Sequence, residues 1–469
     1  MAHLRFVISW CFYLQTIMDR LSSGVEMCEG REPMRIHTHT RSLLLFCSCA
    51  ALLSACASPI AHAPAPVEHI PIAPLDEPLD GEAPPAPKTS EADEALILQL
   101  RNSIKQFAPA QITANVTDLP ENERAALHKL IEASKHLEAI FERQASANNP
   151  ALAQRLANDE SDLGQLRLAY FKIMRGPWDR QKDHARFAGE QDYYPGAGFY
   201  PTDLTSEKFD AYLGAHPDEA KSLTGLFTLV SRKGDKLVAT PYHKAYAKWL
   251  EPAAKRMEEA AELTKNASLS TFLRSRAAAF ATDDYYQSDL DWMDLNSRVE
   301  VTIGPYEVYE DKLKGYKASY ESFVTVSDPV ASKNLAKYKG LLPDMEKHLP
   351  IPRSMRTVRG SESPIRVVDL VFASGDARKS IQTIAFNLPN DERVRKAKGA
   401  KKVLLRNLIE KKFDLILRPI AARIISSDQQ QFMSAPAFFN QVLFHELSHS
   451  LGPAHTKKDG KKVEVRVAL

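Results

Sequence analysis

The amino-acid sequence predicts a helix-dominated α+β protein built as two lobes, and three observations predict it. Apolar residues recur at three- and four-residue spacing through most of residues 91–282. Clusters rich in β-branched residues begin only after Asp284. The composition, 44% hydrophobic and 26% charged, is that of a chain with an ordinary apolar core. A mainly helical lobe is therefore expected over 89–285 and a mixed α/β part over 286–469.

Helical spacing marks Ala92–Phe107, Glu121–Ala147 and Pro217–Arg232. The stretch Tyr193–Pro201 carries Pro and Gly and is read as a loop whose aromatics either plug the core or line a cleft. Strands are expected at Arg298–Ile303, Phe323–Ser327, Ile365–Phe372 and Ile381–Phe386. Helices return at Leu404–Ile425 and Ala437–Leu451. The net charge of +2 gives no broad field for nucleic acid. The one basic run, Arg393 to Lys398 continuing to Lys401 and Lys402, lacks interleaved aromatics and is read as a solvated face.

The front of the chain reads as an address. Met34–Arg41 is a basic n-region, Leu43–Leu53 is an apolar h-region, and Leu53-Ser54-Ala55-Cys56 resembles a bacterial lipobox. Residues 34–56 are thus expected to be a lipoprotein signal peptide lipidated at Cys56, with 1–33 an upstream extension ahead of the true start at Met34. Prolines recur through 57–88 and favour an extended tether. The expected location is the bacterial cell envelope, on a membrane through a lipid anchor. All five cysteines lie at or before Cys56, so the rest of the chain can hold no disulfide or cysteine metal site.

The chemistry concentrates in HELSHSLGPAH, His445 to His455. His445 and His449 stand one helical turn apart, so both imidazoles can reach one Zn²⁺ at about 2.0–2.1 Å. Glu446 is offset by one residue and suits a general base acting on water. Leu443, Leu447 and Leu451 form one apolar stripe, and Val442 lies beside the histidines. A helix apolar on both sides is expected to line a cleft. Gly452 and His455 extend the match to H-E-x-x-H-x-x-G-x-x-H, the metzincin pattern, in which His455 would be a third ligand. No methionine follows His455 to make the methionine turn of that class.

Three further stretches join this motif: Ile303–Asp311 (IGPYEVYED), Tyr320–Val326 (YESFVTV) and Asn387-Leu388-Pro389-Asn390. In this order they resemble the dipeptidyl-peptidase III family of zinc exopeptidases, in particular its bacterial relatives, over roughly residues 190–469. The resemblance implies a zinc peptidase fold with a central cleft and a short peptide substrate. It gives Tyr309 the role of supporting the oxyanion, and Glu307, Asn387 and Asn390 that of holding the peptide's free N-terminus. Two features depart from the family. The spacing is H-E-x-x-H rather than H-E-x-x-G-H, and no E-E-x-x-A-[DE] run follows His449 to supply the usual glutamate ligand. The third ligand is therefore either missing or His455, and the chain is read as C-terminally truncated. Glu464, among alternating neighbours, is expected on a strand. A catalytically inactive peptide-binding lipoprotein is the alternative function, and a metzincin-like endopeptidase using His455 is a third reading.

Overall fold

A computed structural model describes residues 90–356, 364–449, 451–453, 455–458 and 460–465. The expected leader, Cys56 and the tether lie outside these residues. Among the described residues no helix is long and apolar enough to cross a membrane.

The architecture is helix-rich α+β. Helices α1 (Glu91–Lys105), α2 (Glu121–Ala145), α3 (Asn149–Ala157) and α4 (Asp162–Met174) open the chain. Ser90 and Ser161 cap α1 and α4 by accepting from the backbone N–H of Asp93 and Gly164. Helix α2 buries Ala126, Leu130, Ala133, Leu137 and Ile140 completely, each three or four residues from the last. Each leucine in that stripe contributes roughly 1.5–3 kcal/mol by leaving water. One core runs from these residues to Val301, Val324 and Val403 of the main sheet, so it draws on both sides of residue 285.

The stretch Pro217–Arg232, expected to be helical, is divided. After α5 (Ser206–Ala215), helix α6 covers only Pro217–Leu223. Strands β1 (Trp178–Asp179) and β2 (Ala185–Arg186) precede it, and β3 (Thr228–Lys233) follows and pairs antiparallel with β4 (Lys236–Pro241). Gly225 breaks the helix, and Gly234, at φ +59°, makes the hairpin turn that a side chain would strain. Long helices α7 (Ala247–Leu263) and α8 (Ala267–Phe280) and the shorter α9 (Tyr286–Asp294) then lead to the sheet.

That sheet contains β5 (Val299–Glu307), β6 (Ser319–Ser327), β7 (Ile365–Gly375), β8 (Ala385–Leu388) and β9 (Lys401–Leu405) in the order β5-β6-β7-β9-β8. Only β7 and β9 run parallel. Helices α10 (Pro329–Ala336) and α11 (Leu342–Lys347) fill the β6–β7 connection, and α12 (Glu392–Lys398) joins β8 to β9. The helix expected from Leu404 begins at Arg406, because Leu404 and Leu405 are taken by β9. It runs as α13 (Arg406–Lys412), a π turn at Phe413–Leu417 and α14 (Arg418–Ile424). Pro419 has no N–H to continue the ladder, which accounts for the wider turn ahead of it. Helix α15 (Ala435–Ser448) and the hairpin β10 (His455–Lys458) and β11 (Lys461–Glu464) follow, with Glu464 on a strand as its neighbours predict.

The solvated reading of the basic run fails for its last two members. Lys401 and Lys402 are both fully buried in β9. Alternation along the strand sends them to opposite faces of the sheet. Lys401 Nζ meets Glu300 Oε1 at 2.9 Å over the Trp292 ring. A strand in the middle of a mixed sheet can bury a lysine only with such a partner.

A third buried lysine, Lys317, donates from Nζ to Leu223 O at 2.6 Å, Gly225 O at 2.8 Å and Thr228 Oγ1 at 2.8 Å. Burial lowers its pKa to about 7 against the opposing pull of Asp311, and lowers that of Lys401 to about 8 against Glu300. In the unfolded chain both ammonium groups hold their protons until about pH 10.4. At these two lysines the unfolded state therefore binds more protons above pH 7, which raises the unfolding free energy with pH, while the Glu321 carboxyl, whose pKa burial raises well above the usual range, works in the opposite direction. Above about pH 10 the trend reverses, because buried Tyr242, Tyr246, Tyr285 and Tyr320 stay protonated where free tyrosines ionise. Urea unfolding from about pH 7 to 9.5 isolates the Lys317 contribution: the wild-type midpoint should gain on that of Lys317→Met progressively as pH rises. A difference between the two proteins that does not change with pH would contradict the burial effect at Lys317.

Candidate metal centre and substrate end

Helix α15 forms because Ser434 caps it, Pro436 sits harmlessly in its first turn and no glycine interrupts it before Gly452. It buries Leu443 and Leu447 completely and Val442 and Phe444 largely, packing on β8, β9 and α13. Phe444 meets the Tyr338 ring edge-on, and Phe438 meets Phe413. The expected apolar environment on both sides of the helix is present. The helix ends three residues earlier than expected: His449 is the residue just beyond it, still at φ −60°, ψ −16°. The chain then turns through Gly452, whose N–H donates to Glu346 Oε2 of α11 at 2.8 Å.

His445 and His449 lie with ring centroids 4.9 Å apart and nearly perpendicular. One ligand atom from each of His445, Glu446 and His449 falls within 4.8 Å of the others. Both imidazoles open to solvent on one side, whereas Glu446 is only 6% exposed. Burial of the inner ring faces lowers the pKa of both histidines, that of His449 to about 4, with His445, Arg395 and Lys402 adding to the effect. Both are thus held in the neutral form, which is the form that binds a metal. Burial pushes Glu446 up to about 7, Lys402 opposes that and Glu307 adds to it.

The donor set fits two protein ligands of a catalytic zinc beside an unliganded carboxylate. Among the described residues no further His, Cys, Asp or Glu joins this group. His455 is exposed on β10 and stands apart from it, so the hairpin does not bring the metzincin pattern together.

The other expected site residues come from the ends of β5 and β8. Glu307 closes β5, and Tyr309 follows it, 64% exposed. The charge of Glu307, then burial, raises the Tyr309 phenol, with Glu446 among the charges that act on it. Glu307, Tyr309 and Glu446 therefore share one electrostatic neighbourhood. Asn387 lies on β8 opposite Lys402, and its buried Oδ1 has no partner among the described residues. A buried amide oxygen in that state suits an incoming N–H donor. Asn390, beyond the cis Leu388–Pro389 bond, donates from Nδ2 to Tyr306 O at 3.2 Å. That bond ties the end of β8 to the end of β5.

Two features escaped the sequence. Lys402 stood inside a lysine run, and only the strand pattern KKVLL could have marked it as buried. The anchoring of the Tyr309 segment comes from residues about 110–130 positions away. The loop at Tyr193–Pro201 resolves as a plug, with Phe199 and Tyr200 in the core and Tyr194 donating to Leu204 O.

Fold and site together define a metallopeptidase-like chain with a His-Glu-His group on one helix. The model of peptidase family M49 matches residues 227–462. The structure of dipeptidyl-peptidase III from Caldithrix abyssi is 45% identical, covering 80% of this chain and 70% of that one, with a TM-score of 0.73. That of dipeptidyl-peptidase III from Corallococcus sp. strain EGB is 40% identical, covering 79% and 70%, with a TM-score of 0.76. Nudix hydrolase 3 of Arabidopsis thaliana is 33% identical over 77% of this chain. This chain spans 54% of the length of that plant relative. The chain belongs to peptidase family M49, and its fold is the dipeptidyl-peptidase III fold.

Proposed function

We propose that this chain is a zinc-dependent dipeptidyl-peptidase that cuts short peptides two residues from a free N-terminus. The observation that carries the reading is the meeting of two chemistries. The His445-Glu446-His449 group lies on α15, and the Glu307 and Tyr309 end of β5 lies within its electrostatic reach. His445 and His449 would hold the zinc ion, which would supply Lewis acidity and lower the pKa of water. Glu446 takes the proton of the attacking water and passes it to the leaving amine. The Tyr309 hydroxyl donates to the oxygen that gains charge as the carbonyl is attacked. Glu307 and the amide oxygens of Asn387 and Asn390 receive the substrate ammonium and first peptide unit, which sets the distance to the cut.

The leader at 34–56 supports a lipid anchor at Cys56 and an envelope location, with short envelope peptides as substrates. A second reading, an inactive peptide-binding lipoprotein, is favoured by one observation: among the described residues no His, Cys, Asp or Glu besides Glu446 joins the two imidazoles.

Blocking the ammonium is the discriminating experiment. An N-acetylated tetrapeptide should be cleaved at least about 100-fold more slowly than the free peptide, because the half-buried Glu307 carboxylate facing an acetyl group loses its partner. Equal rates would show that no N-terminal recognition sets the cut and would end the dipeptidyl reading.

A further inference from the structure

Tyr309 is exposed, lies outside the sheet, and its hydroxyl has no hydrogen-bond partner among the described residues. Lys379 Nζ lies 5.9 Å from the ring centroid, and the Glu307 charge acts on the phenol. A phenol that must meet an oxyanion needs a fixed position, and contacts of the ring do not provide it here.

The next two residues do. Glu310 is 5% exposed and accepts a two-pronged ion pair from Arg180: Nη1 to Oε2 at 2.8 Å and Nη2 to Oε1 at 2.6 Å. Arg180 is itself fixed, since its Nε donates to Met174 O at the end of α4 at 2.6 Å. Asp311 is 3% exposed and accepts five hydrogen bonds. Its Oδ1 takes the backbone N–H of Leu313 and Lys314, and its Oδ2 takes those of Tyr316 and Lys317 and the Tyr200 hydroxyl, all at 2.7–3.1 Å. Lys312 N adds a bond to Pro195 O at 2.8 Å. A fork of two charge-assisted bonds specifies orientation as well as energy. Five donors on one buried carboxylate hold a loop in one shape.

We infer that Glu310, through Arg180, and Asp311 are positioning residues for Tyr309: they fix its backbone from the two residues beyond it, so that its hydroxyl is presented to substrate without a hydrogen bond of its own. The arrangement leaves the hydroxyl free to donate to an oxyanion and still confines it. The inference rests on the oxyanion role proposed for Tyr309, and the experiment separates the two.

The chain is prepared with 3-fluorotyrosine, and the ¹⁹F resonance of Tyr309 is identified by its loss in Tyr309→Phe. Glu310→Gln and Arg180→Met should move that resonance towards the shift of free fluorotyrosine, and the Tyr212 resonance, assigned the same way, should stay. This readout needs no turnover. An unmoved Tyr309 resonance in both variants would overturn the inference. Kinetics on a dipeptidyl arylamide give the second readout. Glu310→Gln should lower kcat on the order of 10-fold with little change in KM, since small misplacements of a catalytic group are costly. In a Tyr309→Phe background the same change should have no further effect, because a residue acting through Tyr309 has nothing left to act on. Additive losses would show a general structural role and overturn the inference. If Tyr309→Phe keeps full kcat while the ¹⁹F shift still moves, the anchoring stands and the oxyanion role falls.

Discussion

Glu446→Gln is expected to lower kcat by about 10³-fold or more while leaving zinc content and thermal stability nearly unchanged. The geometry separates this residue from its neighbours. Glu446 follows His445 by one position and precedes His449 by three, which takes it off the face the histidines share, and it is buried where they are open. Glutamine keeps the shape and the hydrogen-bonding oxygen but cannot take a proton. The matched measurements are steady-state kinetics on a dipeptidyl arylamide and metal content of the same sample. A variant that keeps more than about a tenth of wild-type kcat would remove Glu446 from the general-base role. One that loses zinc would make it a ligand instead.

The second large effect concerns His449. Wild-type protein is expected to bind about one zinc per chain, and His449→Ala to bind it more than about 100-fold more weakly, because removing a ligand costs at least what removing a ligand's support costs. Peptidase activity should fall with it. The helix should survive, since His449 lies past the last helical residue and exposed, while Leu443 and Leu447 carry the packing. Metal analysis after dialysis, with circular dichroism of both proteins, decides the matter. A folded wild-type chain without zinc would end the enzyme reading and leave the peptide-binding one. Zinc retained in His449→Ala would place the metal elsewhere.

Much of the site was legible because it is local. His445, Glu446 and His449 sit within five residues, His449 capping the helix in helical conformation, and the 3.6-residue period alone puts the two imidazoles on one face. Ser434, Pro436 and Gly452 bound that helix in ways a sequence displays, although its last turn stops short of Leu451. The strands at β5, β6 and β7 were visible for the same reason: runs of β-branched residues respond to a two-residue period. The error at Pro217–Arg232 is of the opposite kind. Its apolar spacing fits a helix as well as a hairpin, and the choice fell to pairing with Lys236–Pro241, which no window of one turn contains.

By itself, then, the sequence determined which residues could ligate a metal, the helix that carries them, the α+β class and the family. Each follows from short-range spacing, whose physics is the same wherever the segment lands. Only the tertiary structure decided that Lys401 and Lys402 are buried rather than solvated. It also decided that Tyr309 comes within the field of Glu446 from more than a hundred residues away, that the Asn390 amide nitrogen is tied to the Tyr306 carbonyl, and that His455 stands apart. Burial and cross-chain distance depend on what other segments cover a residue, and a single charged or aromatic side chain carries no record of that cover.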